Sequence, residues 1–182
     1  MKSFILTAAL LLTNVIVMAQ VTRSNQLSKK TDMNTNDKTA SEKKFEKPDD
    51  VTLRSKLTAE QYAVTQQNAT ERAFKNEYWN EKREGIYVDI TTGEPLFIST
   101  DKFDSGCGWP SFDDEIPGAV RRLPDADGQR TEITCAACGA HLGHVFEGEH
   151  LTRKNTRHCV NSLALTLIKE GQNTSDAKKK CR

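Results

Sequence analysis

Long apolar runs are missing from nearly all of this sequence, and neither sign of charge is in excess. Hydrophobic residues make up 36% of the 182 residues and aromatic residues 7%, a small supply of apolar side chains for one packed domain. Beyond residue 20 no run approaches the roughly 20 apolar residues that cross a bilayer, which excludes a multi-pass membrane protein. The 26 basic and 25 acidic residues give a net charge of +1, which does not indicate binding to nucleic acid or anionic lipid.

The apolar stretch that does occur lies at the N-terminus, over residues 4–18, after the basic start at Lys2. Val17 and Ala19 occupy the −3 and −1 positions of a cleavage site before Gln20. The stretch is shorter than a transmembrane helix, so it predicts a signal peptide over residues 1–19. We therefore expect export to the periplasm or the extracellular space, where disulfides persist, and no membrane contact after cleavage. An uncleaved N-terminal anchor is the alternative.

The remaining chain divides by composition into three parts. Residues 20–50 are rich in Ser, Thr, Asn, Lys and Asp, and such a segment cannot bury enough apolar surface to offset its ordering entropy. Residues 172–182 have the same polar character. The sequence thus predicts a polar linker, one globular domain over residues 51–171 and a polar tail, and nothing in it demands more than a monomer.

Within the domain, helix signals precede strand signals. Thr58 and Gln61 have the spacing of a capping box and predict a helix toward residue 67, and a second short helix is expected over residues 70–78. Because no βαβ unit is visible, the pattern predicts a mainly β domain of antiparallel sheets with short N-terminal helices, and not a thioredoxin-like or Rossmann fold. Strand patterns cover residues 85–90, 95–100, 119–123, 130–135, 142–146 and 158–168.

Two cysteines, Cys107 and Cys159, have neighbours that favour a reactive thiol. Cys107 lies between two glycines, which leave its sulfur approachable, and Trp109 follows with a large apolar face. A buried cysteine in a glycine-rich turn is the alternative for this cluster. Cys159 has Arg157 and Asn161 two residues away on either side, so all three would share one face of a strand. A guanidinium beside a thiol lowers the pKa of that thiol.

A third cluster contains the pair Cys135 and Cys138 and, after it, two histidines. His141 and His144 are three residues apart and would face opposite sides of a regular strand. Gly143 lies between them and permits a kink that brings both rings to one side.

Together the three clusters resemble the methionine sulfoxide reductase B family over about residues 56–170. The resemblance implies the fold of that family and the reduction of the R epimer of methionine sulfoxide, in proteins or peptides, with no bound organic cofactor. The motifs that carry it are Leu57-Thr58 with Gln61-Tyr62, Gly85-Ile86-Tyr87, Ser105-Gly106-Cys107-Gly108-Trp109-Pro110-Ser111-Phe112, His141-Leu142-Gly143-His144-Val145-Phe146 and Arg157-His158-Cys159-Val160-Asn161-Ser162.

The resemblance also implies roles for single residues. Cys159 would be the nucleophile that attacks the sulfoxide sulfur and becomes a sulfenic acid, while His144, assisted by Asn161, would protonate the leaving oxygen. Cys107 would resolve the sulfenic acid as a Cys107–Cys159 disulfide, which a thioredoxin-like partner would reduce. The residues implied in substrate binding are Trp109, which would hold the S-methyl group, His141 and Arg157.

The sequence departs from the family pattern at one place. Many members hold a structural zinc with two Cys-x-x-Cys pairs. Here Cys135 and Cys138 form one pair, but Asp89 and Thr92 stand at the positions of the other, so we expect no metal unless Asp89 or a histidine joins the pair. The pair is otherwise two small buried side chains, a disulfide or a further thiol relay. No role is expected for Cys181 in the tail.

Three other functions stay open on the residues alone. A non-enzymatic zinc or redox module would rest on Cys135 and Cys138. An extracytoplasmic thiol-disulfide oxidoreductase would carry Trp-Cys-x-x-Cys at a helix start, whereas Thr134 precedes Cys135 here in a strand-like context. A glycosylated structural domain rests only on the sequons at Asn68 and Asn173.

Overall fold

A computed structural model describes residues 45–169 of the protein. Those residues contain two antiparallel sheets and two short α-helices. The prediction of a mainly β domain with short N-terminal helices is confirmed. The helices are α1, Asp50–Lys56, and α2, Ala59–Gln67. The predicted capping box begins α2: Thr58 Oγ1 accepts from the Gln61 N–H at 3.1 Å, and Gln61 Oε1 accepts from the Thr58 N–H at 3.0 Å.

The strands form one small and one large sheet. The three-stranded sheet has the order β2-β1-β9 and consists of β1, Ile86–Asp89, β2, Pro95–Ile98, and β9, Leu165–Ile168. The six-stranded sheet has the order β3-β4-β8-β7-β6-β5. Its strands are β3, Lys102–Phe103, β4, Ser111–Phe112, β5, Val120–Pro124, β6, Thr131–Cys135, β7, His141–Glu147, and β8, Thr156–Val160.

The core packs against one face of the six-stranded sheet. Phe97 and Phe112 stack with ring centroids 4.5 Å apart, and Tyr87 meets Phe112 edge-on at 5.0 Å. His158 of β8 also belongs to this face, with its ring 5.7 Å from that of Phe97. Since side chains alternate along a strand, Cys159 points to the opposite face of the sheet. The core therefore fixes which side of the sheet carries the reactive cysteine.

The prediction of one strand over residues 158–168 is wrong. Strand β8 ends at Val160, a 3₁₀ turn covers Ser162–Ala164, and β9 belongs to the other sheet. The Glu71 carboxylate accepts the backbone N–H groups of Ser162 and Leu163 at 2.5 and 2.9 Å. These bonds replace strand pairing at the place where the chain crosses between the sheets.

The prediction of a helix over residues 70–78 is also wrong. The backbone there is irregular, and Phe74 has a φ of 60°, a left-handed conformation that ends any helix. The Phe74 N–H donates to the carbonyl oxygen of Gly108 at 2.8 Å instead of to a helical partner. A long-range contact has overridden the local preference of this segment.

Among residues 45–169, no helix is long and apolar enough to cross a membrane. The predicted signal peptide, nearly all of the predicted linker, and the tail with Asn173 and Cys181 lie outside the described residues.

Candidate active site

Two cysteines distant in sequence meet on the open face of the six-stranded sheet. The sulfur atoms of Cys107 and Cys159 lie 3.8 Å apart although the residues are 52 positions apart in the chain. Pairing of β4 with β8 places Ser111 opposite Cys159, and the turn that precedes β4 carries Cys107. Both cysteines are free thiols and are half-buried. A disulfide has a bond length of about 2 Å, so a small movement would join them.

Hydroxyl groups surround the sulfur of Cys107. The Ser105 hydroxyl donates to Cys107 Sγ at 3.0 Å, and Ser111 Oγ lies 3.5 Å from the same sulfur. A hydrogen bond from the Cys159 thiol, followed by those from Ser105 and Ser111, lowers the pKa of Cys107. The same bond to Cys107, together with burial, raises the pKa of Cys159. The contact between the two sulfurs thus acts in opposite directions on the two thiols, while the serine hydroxyls act on Cys107 alone.

Arg157 supplies positive charge to both sulfurs. Its Nε and Nη2 donate to the two carboxylate oxygens of Glu149 at 2.7 and 2.8 Å, and its guanidinium carbon lies 4.4 Å from the centre of the Phe146 ring. The Glu149 hydrogen bonds raise the pKa of Arg157, which keeps it a cation. As expected, Arg157 acts to lower the pKa of Cys159, but the bond to Cys107 and burial outweigh it.

Both histidines reach the same face and each has a carboxylate partner. The register of β7 and β8 sets His144 directly opposite Cys159. His144 Nε2 lies 2.7 Å from Asp125 Oδ2, and His141 Nδ1 lies 2.5 Å from Glu132 Oε1. The two rings meet edge-on at 5.7 Å. A register shift between β6 and β7 brings the rings together.

Gly143 makes this arrangement possible, as its position between the histidines predicts. A Cβ atom on residue 143 would lie 2.0 Å from the carbonyl oxygen of Cys159, and its φ of 154° disfavours other residues. Burial lowers the pKa of His141, which keeps its ring neutral at pH 7.

The two remaining predicted site residues, Trp109 and Asn161, both form hydrogen bonds with the backbone of Glu71. Trp109 is half-buried, and its indole N–H donates to the carbonyl oxygen of Glu71 at 3.2 Å. Asn161 is buried, its Oδ1 accepts from the Glu71 N–H at 3.1 Å, and its Nδ2 donates to the carbonyl oxygen of Leu142 at 3.1 Å. The Asn161 amide therefore bonds to backbone on both sides.

Sequence reasoning missed the residues that support this site. Asp125, Glu132 and Glu149 hold the two histidines and Arg157, but each lies in a strand or turn where an acidic residue is common. Glu71 lies 90 residues before the groups it holds. Ser111 had a usable signal, since it belongs to the motif that contains Cys107.

Comparison with known proteins assigns the domain. A family model described as the SelR domain matches residues 57–169. The chain belongs to the SelR domain family. This is the methionine sulfoxide reductase B family that its motifs predict, and the resemblance is confirmed.

A relative with a known name supports the assignment. The chain is 52% identical over 118 residues to the peptide methionine sulfoxide reductase B2, chloroplastic, of Arabidopsis thaliana. The match covers 64% of this chain and 58% of the relative, so this chain spans little more than half the length of that relative. A solved structure, the crystal structure of the Mis18 'Yippee-like' domain, is similar at 15% identity with a TM-score of 0.40. The match covers 50% of this chain and 100% of that domain, and the likeness is too weak to carry an inference.

The second cysteine pair of the SelR domain is buried at the other end of the six-stranded sheet. Cys135 and Cys138 are free thiols, and a ligand atom of each lies within 4.8 Å of the Asp89 carboxylate. Cys135 Sγ donates to Glu94 Oε2 at 3.0 Å, and Thr91 Oγ1 lies 3.2 Å from Cys138 Sγ. Both sulfur atoms thus have hydrogen-bonding partners within the protein.

This group does not fit the closed four-ligand zinc site that many family members hold. Thr92 stands where a cysteine of the other Cys-x-x-Cys pair would be, and its hydroxyl and N–H both donate to Asp89 Oδ1, at 2.9 and 2.7 Å. Thr91 adds its own N–H and hydroxyl to the same oxygen. Within this group Asp89 Oδ2 is buried and has no hydrogen-bond partner among the described residues. Hydrogen bonds hold this turn where metal bonds would hold it in a four-cysteine site.

Proposed function

We propose that this SelR domain reduces the R epimer of methionine sulfoxide, in oxidised proteins or peptides, to methionine, and so repairs oxidised proteins. The approach of Cys107 to Cys159 within 3.8 Å, in a domain of this family, carries the proposal. The register of His144 opposite Cys159 supports it, since a proton donor is needed beside the nucleophile.

In the first step Cys159 attacks the sulfoxide sulfur. Two electrons pass from the Cys159 sulfur to the sulfoxide, the S–O bond of the substrate breaks, and the oxygen ends on Cys159 as a sulfenic acid. His144, held by Asp125, supplies the proton that the oxygen needs, with Asn161 assisting. Methionine leaves as the reduced product.

Substrate binding uses the residues around the two sulfurs. The half-buried face of Trp109 receives the S-methyl group, which directs the S–O bond toward the histidines. Arg157 and His141 complete the pocket: Arg157 is fixed by Glu149, and His141 by Glu132.

In the second step Cys107 attacks the sulfur of the Cys159 sulfenic acid. An S–S bond forms, the S–OH bond breaks, and the hydroxyl leaves as water with the proton of the Cys107 thiol. The hydroxyl groups of Ser105 and Ser111 lie beside Cys107 whatever the oxidation state of Cys159, and they favour the Cys107 thiolate, which is the attacking form. A thioredoxin-like dithiol then reduces the disulfide, so the reaction requires no bound cofactor.

The predicted signal peptide gives the place of action. We propose that the protein is exported to the periplasm or the extracellular space and takes part in the oxidative stress response there. It acts as a monomer, without nucleic acid partners and without membrane contact after cleavage of the signal peptide. Fractionation of cells that express the full chain tests the export.

A single-turnover assay on the pure R and S epimers of a methionine sulfoxide peptide, without reductant, tests the activity. We expect consumption of the R epimer alone, with two thiols lost per methionine formed and a Cys107–Cys159 disulfide in the peptide map. A folded sample that consumes neither epimer would refute the proposal and would leave the pair Cys135 and Cys138 as the place to look for a function.

A further inference from the structure

An irregular segment between α2 and β1 touches both halves of the active site. We call residues 70–76 the strap. Its backbone has no helix or strand, and it lines one side of a cleft of about 460 Å³. The strap thus has the cleft on one side and the two cysteine-bearing segments on the other.

One end of the strap bonds to both cysteine-bearing segments through Glu71. Its carbonyl oxygen accepts the indole N–H of Trp109, two residues after Cys107. Its N–H donates to Asn161, two residues after Cys159, and its carboxylate accepts the N–H groups of Ser162 and Leu163. Glu71 is thus a bridge between two segments that are far apart in the sequence.

The other end repeats the bridge through the Asn76 side chain. Asn76 Nδ2 donates to the carbonyl oxygen of Gly108 at 2.8 Å, beside Cys107. Asn76 Oδ1 accepts the hydroxyl of Ser162 at 2.7 Å, just beyond β8. Phe74 adds a backbone bond to Gly108, and a Cβ on residue 108 would lie only 2.7 Å from the Phe74 ring. The contact between the strap and the Cys107 loop is therefore close along its length.

We propose that Glu71 and Asn76 are positioning residues that set the separation of Cys107 and Cys159. The two cysteines lie on different segments, and the Cys107 loop is an irregular turn. The strap ties that loop to the end of β8 through two residues on each side: Gly108 and Trp109 in the Cys107 loop, and Asn161 and Ser162 after Cys159. This raises the effective concentration of one sulfur at the other.

The Asn76 end of the strap therefore serves the second step of the proposed function, disulfide formation, more than the first. Attack on the sulfoxide uses Cys159 and His144, which neighbouring strands hold. It also uses Trp109 and Asn161, which bond to the strap at Glu71 and not at Asn76. Attack of Cys107 on the sulfenic acid needs the loop and the strand together. This part of the inference rests on the proposed function, whereas the effect on the sulfur separation does not.

Two matched variants each break one side of the bridge. Asn76→Asp keeps the shape and the acceptor for Ser162 but loses the donor to Gly108. Ser162→Ala removes the hydroxyl on the β8 side and leaves the Asn76 donor to Gly108 in place. Lys75→Ala is the control, since Lys75 is the exposed neighbour of Asn76 in the strap.

The decisive measurement is the equilibrium of the Cys107–Cys159 disulfide in glutathione redox buffers, read by alkylation and peptide mapping. It needs no sulfoxide, so it is independent of the proposed function. We expect the effective concentration of the thiol pair to fall about tenfold in Asn76→Asp and in Ser162→Ala, and to stay at the wild-type value in Lys75→Ala. Values within twofold of wild type in both bridge variants would overturn the proposal.

Single-turnover kinetics with a sulfenic acid trap then give the second readout. In the bridge variants we expect methionine to form at the wild-type rate within about twofold and the disulfide to form about tenfold more slowly, so that trapped Cys159 accumulates. An equal loss in both steps would show a general structural role and contradict the assignment. Should Asn76→Asp fail to fold, Ser162→Ala decides the question. A wild-type protein that makes no methionine would refute the proposed function, while the redox equilibrium would still decide the role of the strap.

Discussion

The protein holds two cysteine pairs in one sheet, and their surroundings differ in almost every respect. Cys107 and Cys159 come from distant segments, are half-buried, and face hydroxyl groups and a guanidinium. Cys135 and Cys138 belong to one tight turn, are buried, and face carboxylates and a threonine. Exposure and neighbouring charge therefore favour thiol reactivity at the first pair and disfavour it at the second.

The largest expected effect separates the pairs by activity. Cys159→Ser should lower methionine formation by at least about a thousandfold, even in the first turnover, because the serine hydroxyl is a poor nucleophile at neutral pH. Cys135→Ser should stay within about twofold of wild type in the same assay. A strong loss from Cys135→Ser in a folded protein would break the comparison.

Cys107→Ser should separate the two steps of the reaction. We expect one methionine per protein at the wild-type rate, followed by a stall when thioredoxin is the reductant, because no disulfide forms for it to reduce. The measurement is methionine formed against time over many turnovers. Undiminished turnover with thioredoxin would remove Cys107 from the mechanism.

The buried pair should matter to stability instead. Asp89→Ala removes the acceptor of four hydrogen bonds from Thr91 and Thr92, and should lower the free energy of unfolding by about 2 kcal/mol. Asp89→Asn keeps an acceptor oxygen and should recover part of the loss, while Glu60→Ala at an exposed position should have little effect. Urea unfolding measures all three, and a stable Asp89→Ala protein would contradict the role given to this turn.

Alkylation against pH should separate the pairs by acidity. Because the pKa of Cys107 is lowered, its thiolate is present above that lower value, and its alkylation should persist below the pH of about 8.5 at which an ordinary thiol is half ionised. Ser111→Ala should move the Cys107 profile up by about 0.7 pH units, the equivalent of one hydrogen bond of about 1 kcal/mol. The pKa of Cys135 is raised, first by its contact with Cys138, so Cys135 should stay unreactive at neutral pH. A Cys107 profile centred at or above that of a free thiol would reverse the comparison.

The smallest expected effect is that of a chelator. Three ligand groups and a threonine do not make a closed zinc site, so the midpoint of urea unfolding should be the same with and without EDTA. Metal analysis of the purified protein should give well under one zinc per chain. One tightly bound zinc, with loss of stability in EDTA, would show that Asp89 has replaced a cysteine ligand.

Local signals in the sequence were sufficient for much of the fold. The capping box of α2 and the strands β1, β2, β5, β6 and β7 follow from residues close together in the chain. The two wrong predictions, the helix over residues 70–78 and the single strand over residues 158–168, have the same kind of cause, a bond to a distant segment. The Phe74 N–H bonds to Gly108, and Glu71 bonds to Ser162 and Leu163 across some 90 residues.

In the candidate site, too, some residues could be predicted from the sequence and others could not. Cys107, Trp109, His144 and Cys159 were accessible from the sequence, because they stand in motifs that resemble a family. Their supporting residues were not, because nothing in the sequence pairs Asp125 with a histidine of another strand.

The sequence by itself determined which residues are the candidates for the chemistry, that the domain is mainly β, and that one Cys-x-x-Cys pair lacks its partner. Only the tertiary structure decided that two sulfurs lie 3.8 Å apart, that serine hydroxyls lie beside Cys107, and that a strap joins the segments that carry the two cysteines. The motifs are visible in the sequence because their residues are close together in the chain. Distances and electrostatic surroundings come from groups that only folding brings together.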